Sequence, residues 1–298
     1  MPKLIKRVNL AIMIVMVLAL FGCKKSTLSM LSPSGSPEYA IAYFEQDSKY
    51  EKTIVSGAEA LIAGFNETGY DIIFAPTNLG AKLYHAKPVY QLIGVLTWGN
   101  YYLISDHSID LESLDEIEVI AFGEKQIPEF ILSLILSDYD IDYEVQYLDS
   151  LASVSSAFLL DSSKVYLVAE PSLSILKTKK SLTYIDLQLE YQRITNTTGY
   201  PQAGVFAHKD LSDKTLNQFK EDLDNAIKSL KTDPNAYEVL KACGISIDES
   251  IYQEAVFRSN IDFKESSLVK EALNRFYELI ITFNDHFLGQ LPDESFYR

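Results

Sequence analysis

The 298-residue chain carries 26 basic and 41 acidic residues, a formal net charge of −15, with 47% hydrophobic residues. An acidic balance of this size argues against a nucleic-acid partner, since phosphates are held by clustered lysine and arginine. It says little about a small ligand, because net charge reports on solubility more than on a pocket.

Lys3, Lys6 and Arg7 open the chain, and an unbroken apolar run follows from Leu10 to Phe21. The run is shorter than the roughly 20 residues a membrane-spanning helix needs, and it suits the apolar region of a secretory signal. It ends at Leu20-Phe21-Gly22-Cys23, which resembles the bacterial lipobox, in which a cysteine behind a small residue is lipidated and becomes the new N-terminus. Residues 1–22 are thus expected to be a lipoprotein signal and Cys23 a membrane anchor that does not span the bilayer. Loss of this leader, with three bases and no acid, takes the net charge from −15 to −18. Cys243 is then left without a disulfide partner. Residues 23–37, rich in serine with Pro33, Gly35 and Pro37, show no apolar periodicity and read as a flexible tether.

The remaining chain, about 260 residues, can bury one large core or two lobes. Short apolar strands alternate with helical segments along it. Strands are expected at 39–44, 70–75, 90–95, 101–105, 118–122, 144–148, 165–169, 184–187 and 204–207. Helices are expected at 56–65, 78–84, 128–136 and 151–160. From Leu211 the pattern is helical, closing with an amphipathic stretch over 266–287. Alternation of this kind means an α/β fold with mostly parallel sheets.

His85, His107, His208 and His286 show no ligand spacing, so no metal site is expected. No Gly-x-Ser-x-Gly elbow, Gly-x-Gly-x-x-Gly run or P-loop occurs, and no carboxylate pair stands out from the acidic background. Neither a catalytic residue nor a cofactor is expected.

Several segments taken in order carry a resemblance. They are Gly69 to Tyr84 with Ala75-Pro76-Thr77-Asn78 at their centre, Gly94 to Ile104, Ala121-Phe122-Gly123 and Ala169-Glu170-Pro171. Ile185 to Gln188, Tyr200 to Gly204 and Arg258 to Ile261 follow. At this spacing the mature chain resembles the bacterial solute-binding proteins of the thiamine-precursor, nitrate, sulfonate and taurine group. The resemblance implies an α/β, two-lobed, type II periplasmic-binding-protein fold with two crossover hinge strands and a helical C-terminus. Mapped here, lobe one spans 38–100 and 208–298, and lobe two spans 101–207 with both crossovers. It implies an extracytoplasmic, lipid-anchored, monomeric protein serving an ABC permease and its ATPase.

In open α/β sheets ligands sit beyond the carboxyl ends of strands. That rule and the resemblance together single out Pro76, Thr77, Asn78, Trp98, Asn100, Gly123, Glu170, Tyr200 and Gln202. Thr77 or Asn78 can cap the next helix or touch ligand; Trp98 can pack the hinge or stack on ligand. Glu170 can be a surface ion-pair partner or accept from a ligand amine. Tyr200 and Gln202 can be turn residues or ligand contacts. A flat polar heterocycle such as a pyrimidine and an oxyanion such as sulfonate or nitrate both fit. A pyrimidine synthase resembles this group as well, but the clustered cysteines of that enzyme are missing here. A surface receptor without transport stays open.

Overall fold

Continuous apolar runs such as Ile72–Ala75 and Val165–Ala169 become strands because each is covered on both faces. The computed structural model describes residues 27–298; the expected leader over 1–22, Cys23 and the first residues of the expected tether lie outside the described residues. The chain opens with β1 (Leu28–Pro33), helix α1 (Ser36–Ala40) and a 3₁₀ turn (Ala42–Gln46). Next come β2 (Tyr50–Val55), α2 (Ala58–Glu67), β3 (Ile72–Pro76), α3 (Thr77–Ala86) and β4 (Tyr90–Thr97). A short connection leads into β5 (Tyr101–Ser105), β6 (Glu116–Phe122), α4 (Ile127–Asp138), β7 (Asp142–Leu148) and α5 (Leu151–Leu160). Then come β8 (Val165–Ala169), α6 (Ser172–Lys179), β9 (Thr183–Asp186) and α7 (Leu187–Thr195). A second connection returns to β10 (Ala203–His208), α8 (Asp213–Thr232), α9 (Ala236–Ala242), α10 (Tyr252–Arg258), β11 (Ile261–Glu265) and α11 (Ser266–Phe283).

The strands form two sheets, each the centre of a lobe. The first runs β11-β4-β10-β3-β1-β2 and the second β7-β6-β8-β5-β9. In the first, β1 is parallel to β2 and β3, whereas β10 is antiparallel to both β3 and β4. In the second, β6 is parallel to β7 and β8, and β5 is antiparallel to β8 and β9. One apolar cluster fills the face of the first sheet under α1, α8, α9 and α10. A smaller cluster lies between the second sheet, α5 and α6. The largest is continuous between the lobes: Phe276 of α11 meets Phe130 of α4 edge-on at 5.7 Å and stacks on Tyr200 at 6.3 Å.

Five expectations need correction. The sheets are mixed rather than mostly parallel, because β4, β5, β10 and β11 pair with their neighbouring strands only antiparallel. Residues 28–33 of the expected tether are β1, paired on both sides, with Met30 0% and Leu31 1% exposed. The surrounding Ser, Pro and Gly hide a short apolar run, and Ser29 is accommodated because Asp71 Oδ2 accepts from its Oγ at 2.9 Å. Residues 39–44, expected as a strand, are α1 and the 3₁₀ turn, started by Pro37 in the first turn. Their all-round apolarity reflects burial beneath α8, where Tyr39, Ala40, Ile41, Ala42 and Phe44 sit in the core. β2 and β11 were unexpected because both are edge strands with mixed exposure. The second crossover strand, β10, lies inside the first sheet rather than in lobe two, since its fully buried residues need β3 and β4 on either side.

The position of β1 has a direct consequence for stability. Met30→Ala is expected to cost about 2–5 kcal/mol, as for other buried large-to-small changes, measured by denaturant unfolding. A cost near zero would place this segment outside the core.

Candidate functional site

The carboxyl ends of β1, β2 and β3 face those of β6, β7 and β8 across a cavity of about 380 Å³. Each strand delivers the residues that follow it to the wall: Pro33–Pro37, Val55–Ala58, Pro76, Phe122–Gly123, Asp149–Ala152 and Ala169–Glu170. Asn100 and Gln202 line the cavity from the two connections. Helices α2 and α5 begin on this wall, at Ala58 and Leu151, and the N-cap of α4, Gln126, reaches it. The first four N–H groups of a helix lack partners within it, so these ends present donors and a partial positive charge to the cavity. Ser150 takes one of them by accepting from Ser153 N at 3.1 Å. Gly57, at φ +85°, leaves open space beside its Cα. Gly123, at φ +76°, has no such freedom, because a methyl group there would fall 2.6 Å from Pro128.

A chain of polar contacts crosses the cavity floor between the lobes. Gln202 Nε2 donates to Asn100 Oδ1 at 2.8 Å, and Asn100 Nδ2 donates to Ser36 Oγ at 2.8 Å. Ser36 Oγ in turn reaches the Glu170 carbonyl at 3.5 Å, and Glu170 N donates to the Asn100 carbonyl at 3.2 Å. The Glu170 carboxylate is 2% exposed and accepts from Ser174 N at 3.2 Å and Ser174 Oγ at 3.0 Å. Burial pushes its pKa up to about 7, against the lowering effect of the Ser174 donors and the more distant Arg258. Among the described residues the wall holds two carboxylates, Asp149 and Glu170, and no lysine, arginine or histidine.

Five of the residues singled out from the sequence therefore line this cleft: Pro76, Asn100, Gly123, Glu170 and Gln202. The other four do not. Thr77 is fully buried, with Oγ1 donating to Pro201 O at 2.7 Å and N to Gln202 O at 3.0 Å, so it fastens α3 to the second connection. Asn78 turns inward and donates to Phe287 O at 3.4 Å. Tyr200 is buried under the cleft, stacked on Tyr101 at 5.8 Å, its hydroxyl accepting from Tyr101 N at 3.3 Å. Trp98 faces a separate groove of about 1110 Å³ behind the connections, where its Nε1 donates to Asp262 O at 2.7 Å and the Lys264 ammonium covers its ring. The residues around Ser34–Ser36 and Ser56–Ala58 were missed because β1 and β2 were missed. Asp149 and Ser150 lie between an expected strand and an expected helix, so the strand-end rule alone could have found them.

No family model matches the sequence, and no curated protein matches it. Solved structures do. An ABC transporter structure from Parabacteroides distasonis superposes with a TM-score of 0.81 at 22% identity, covering 92% of this chain and 99% of that one. The alkanesulfonate-binding protein SsuA from Xanthomonas axonopodis pv. citri, bound to MOPS, gives 0.67 at 15% identity, with 89% and 95% covered. A putative nitrate transport protein from Thermoplasma volcanium gives 0.56 at 12% identity, with 91% and 97% covered. The fold is that of the two-lobed, type II periplasmic binding proteins. Among the described residues of this binding-protein fold, no helix is long and apolar enough to cross a membrane, and no group of three His, Cys, Asp or Glu could hold a metal ion.

Glu170 links the cleft to pH. With a folded pKa near 7 above its ordinary 4.5, the folded state binds more protons than the unfolded one in that interval. The contribution to stability is therefore full below about pH 4.5 and lost as pH rises through 7. Glu170→Gln is expected to flatten the stability profile across this window and to raise stability at pH 8 by about 3 kcal/mol at most. Urea unfolding of both proteins between pH 4.5 and 8 measures it; parallel profiles would refute the assignment.

Proposed function

We propose that the protein captures a small polar solute between its lobes and hands it to an ABC permease, with no catalytic step. The observation that carries this reading is the cleft itself: six strand ends from two lobes converge on one cavity, and among the described residues the chain crosses between the lobes in two short connections. Such an arrangement permits rigid-body closure about the connections. Closure is selected when the ligand binds the closed form better than the open one. The ABC-transporter names of the structural neighbours are consistent with this role.

Between the two ligand classes, the wall favours a neutral, donor-bearing polar heterocycle over a free oxyanion. Asp149 and Glu170 offer acceptors, helix N-termini offer donors, and no basic side chain balances a full negative charge. Tyr101 and Phe122 supply the aromatic surface that Trp98 does not. The cleft residues assigned to ligand contact are Pro76, Asn100, Gly123, Glu170 and Gln202, joined by Ser36, Gly57 and Ser150. A thermal-melting panel of pyrimidines, thiamine precursors, sulfonates, nitrate, amino acids and polyamines tests this. A true ligand at a hundredfold over its Kd adds about 2.7 kcal/mol. Stabilisation by pyrimidines that is abolished in Asn100→Ala is the expected result. Stabilisation by sulfonates or nitrate alone would reverse the choice of ligand class, and a panel with no response would count against small-solute capture.

The same reading makes residues 1–22 a signal removed on export and Cys23 the lipidated residue, which would hold a monomer at the extracytoplasmic face of the membrane. Its support is the basic start, the apolar run and the Gly22-Cys23 junction. Cys23→Ala is expected to move the protein from the membrane fraction to the soluble fraction and to abolish incorporation of labelled palmitate. Unchanged fractionation of the variant would exclude Cys23 as the anchor.

A further inference from the structure

Each connection between the lobes carries a glycine at positive φ, Gly99 at +87° and Gly199 at +152°. One side chain accounts for both. A methyl group on Gly99 would fall 1.9 Å from Gln188 Oε1, and a methyl group on Gly199 would fall 2.1 Å from Gln188 Nε2. The Gln188 amide therefore sits between the two connections, touching each where a side chain would otherwise stand. Gln188 belongs to the first turn of α7, in lobe two, and is 5% exposed. It lies on the side of the groove behind the connections, away from the cleft, and the capture reading makes no use of it.

The amide is only half satisfied. Nε2 donates to Thr198 O at 3.4 Å, an acceptor it shares with Gln192 Nε2 at 3.0 Å. Buried Oε1 has no hydrogen-bond partner, an arrangement that native structures rarely leave without a reason. The connections themselves are tied down. Asn260 of lobe one donates from Nδ2 to Gly99 O at 2.6 Å and accepts from Trp98 N at 3.1 Å through its carbonyl. Tyr101 N donates to the Tyr200 hydroxyl, joining one connection to the other. An unpaired acceptor thus sits against the two residues whose backbone dihedrals are freest to change; Gln202 Oε1, farther along the second connection, is unpaired as well.

We propose that Gln188 is a positioning residue of the hinge. Its Oε1 gains a backbone N–H donor from the connections when the lobes rotate out of the present arrangement, so the residue biases the balance between two lobe arrangements without touching ligand. The proposal rests on the capture reading, in which the lobes move. Apparent affinity scales with the fraction of protein in the binding-competent arrangement, so Gln188 sets affinity from outside the cleft.

Spin labels at Glu59→Cys on α2 and Ser156→Cys on α5, both exposed, report the interlobe distance in the full chain carrying Cys23→Ala and Cys243→Ser. Pulsed electron resonance without ligand is expected to resolve two distances. Gln188→Met, of similar length but with no amide, is expected to change their ratio about tenfold, with a cooperative melt showing that the variant is folded. Gln188→Asn keeps the amide but withdraws it from the glycines; it should shift the ratio the same way and serves if the methionine variant does not fold. Two parental distances at a ratio that the folded variants preserve would overturn the role of Gln188 alone. One distance shared by the parent and both variants would overturn the ligand-free balance of two arrangements, and with it the role of Gln188, while leaving the capture reading to the melting panel.

Discussion

Everything in this molecule follows from the facing of two sheets, carboxyl edge to carboxyl edge. Parallel strands send their carboxyl ends to one side of a sheet, and the loops and helix N-termini gather there. With β1, β2 and β3 opposed to β6, β7 and β8, the unpaired helix N–H groups of both lobes point into the same cavity. Strand order also fixes where the chain must cross. β4 and β10 are neighbours in the first sheet, so departure and return run side by side, and two short segments suffice to join the lobes. The cleft and the paired connections are therefore one feature of the topology.

The electrostatics of the cleft share the sign of its surroundings. The chain as a whole is strongly acidic, and a basic patch in the cleft would have focused an anionic ligand against that background. The wall instead keeps Glu170 nearly buried, supported by two hydrogen bonds from Ser174 rather than by an ion pair. Burial makes the ionised form costly, and the Ser174 donors recover only part of that cost. A ligand that brings an N–H to this carboxylate completes an interaction that the protein alone leaves partial.

The overall α/β alternation was legible in the sequence because buried strands such as Ile72–Ala75 and Val165–Ala169 are continuous apolar runs. What was not legible depended on context. β1 is as deeply buried as those strands, yet it is framed by the Ser, Pro and Gly that also mark loops. α1 reads as a strand because a helix covered on all sides loses its periodic polar face. Edge strands β2 and β11 carry charged residues outward, which erases the hydrophobic run. Two missed strands then concealed Ser34–Ser36 and Ser56–Ala58, so two of the three strand ends that lobe one brings to the cleft were unseen.

The misplaced site residues teach something narrower. Trp98 and Asn100 flank Gly99, and in a regular strand residues two apart share a face. The positive φ of Gly99 breaks that relation, sending the indole to the rear groove while Asn100 reaches the cleft. Tyr200 and Gln202 flank Pro201 and part as well, one under the floor and one on it. Residues that hold the connections are thus sequence neighbours of residues that line the cavity, and in the first connection the backbone twist at Gly99 separates them. A hinge needs such twists, because a connection that can rotate must contain residues free to leave the strand conformation. The ambiguity between support and contact at these positions is a direct consequence of building the cleft where the chain crosses.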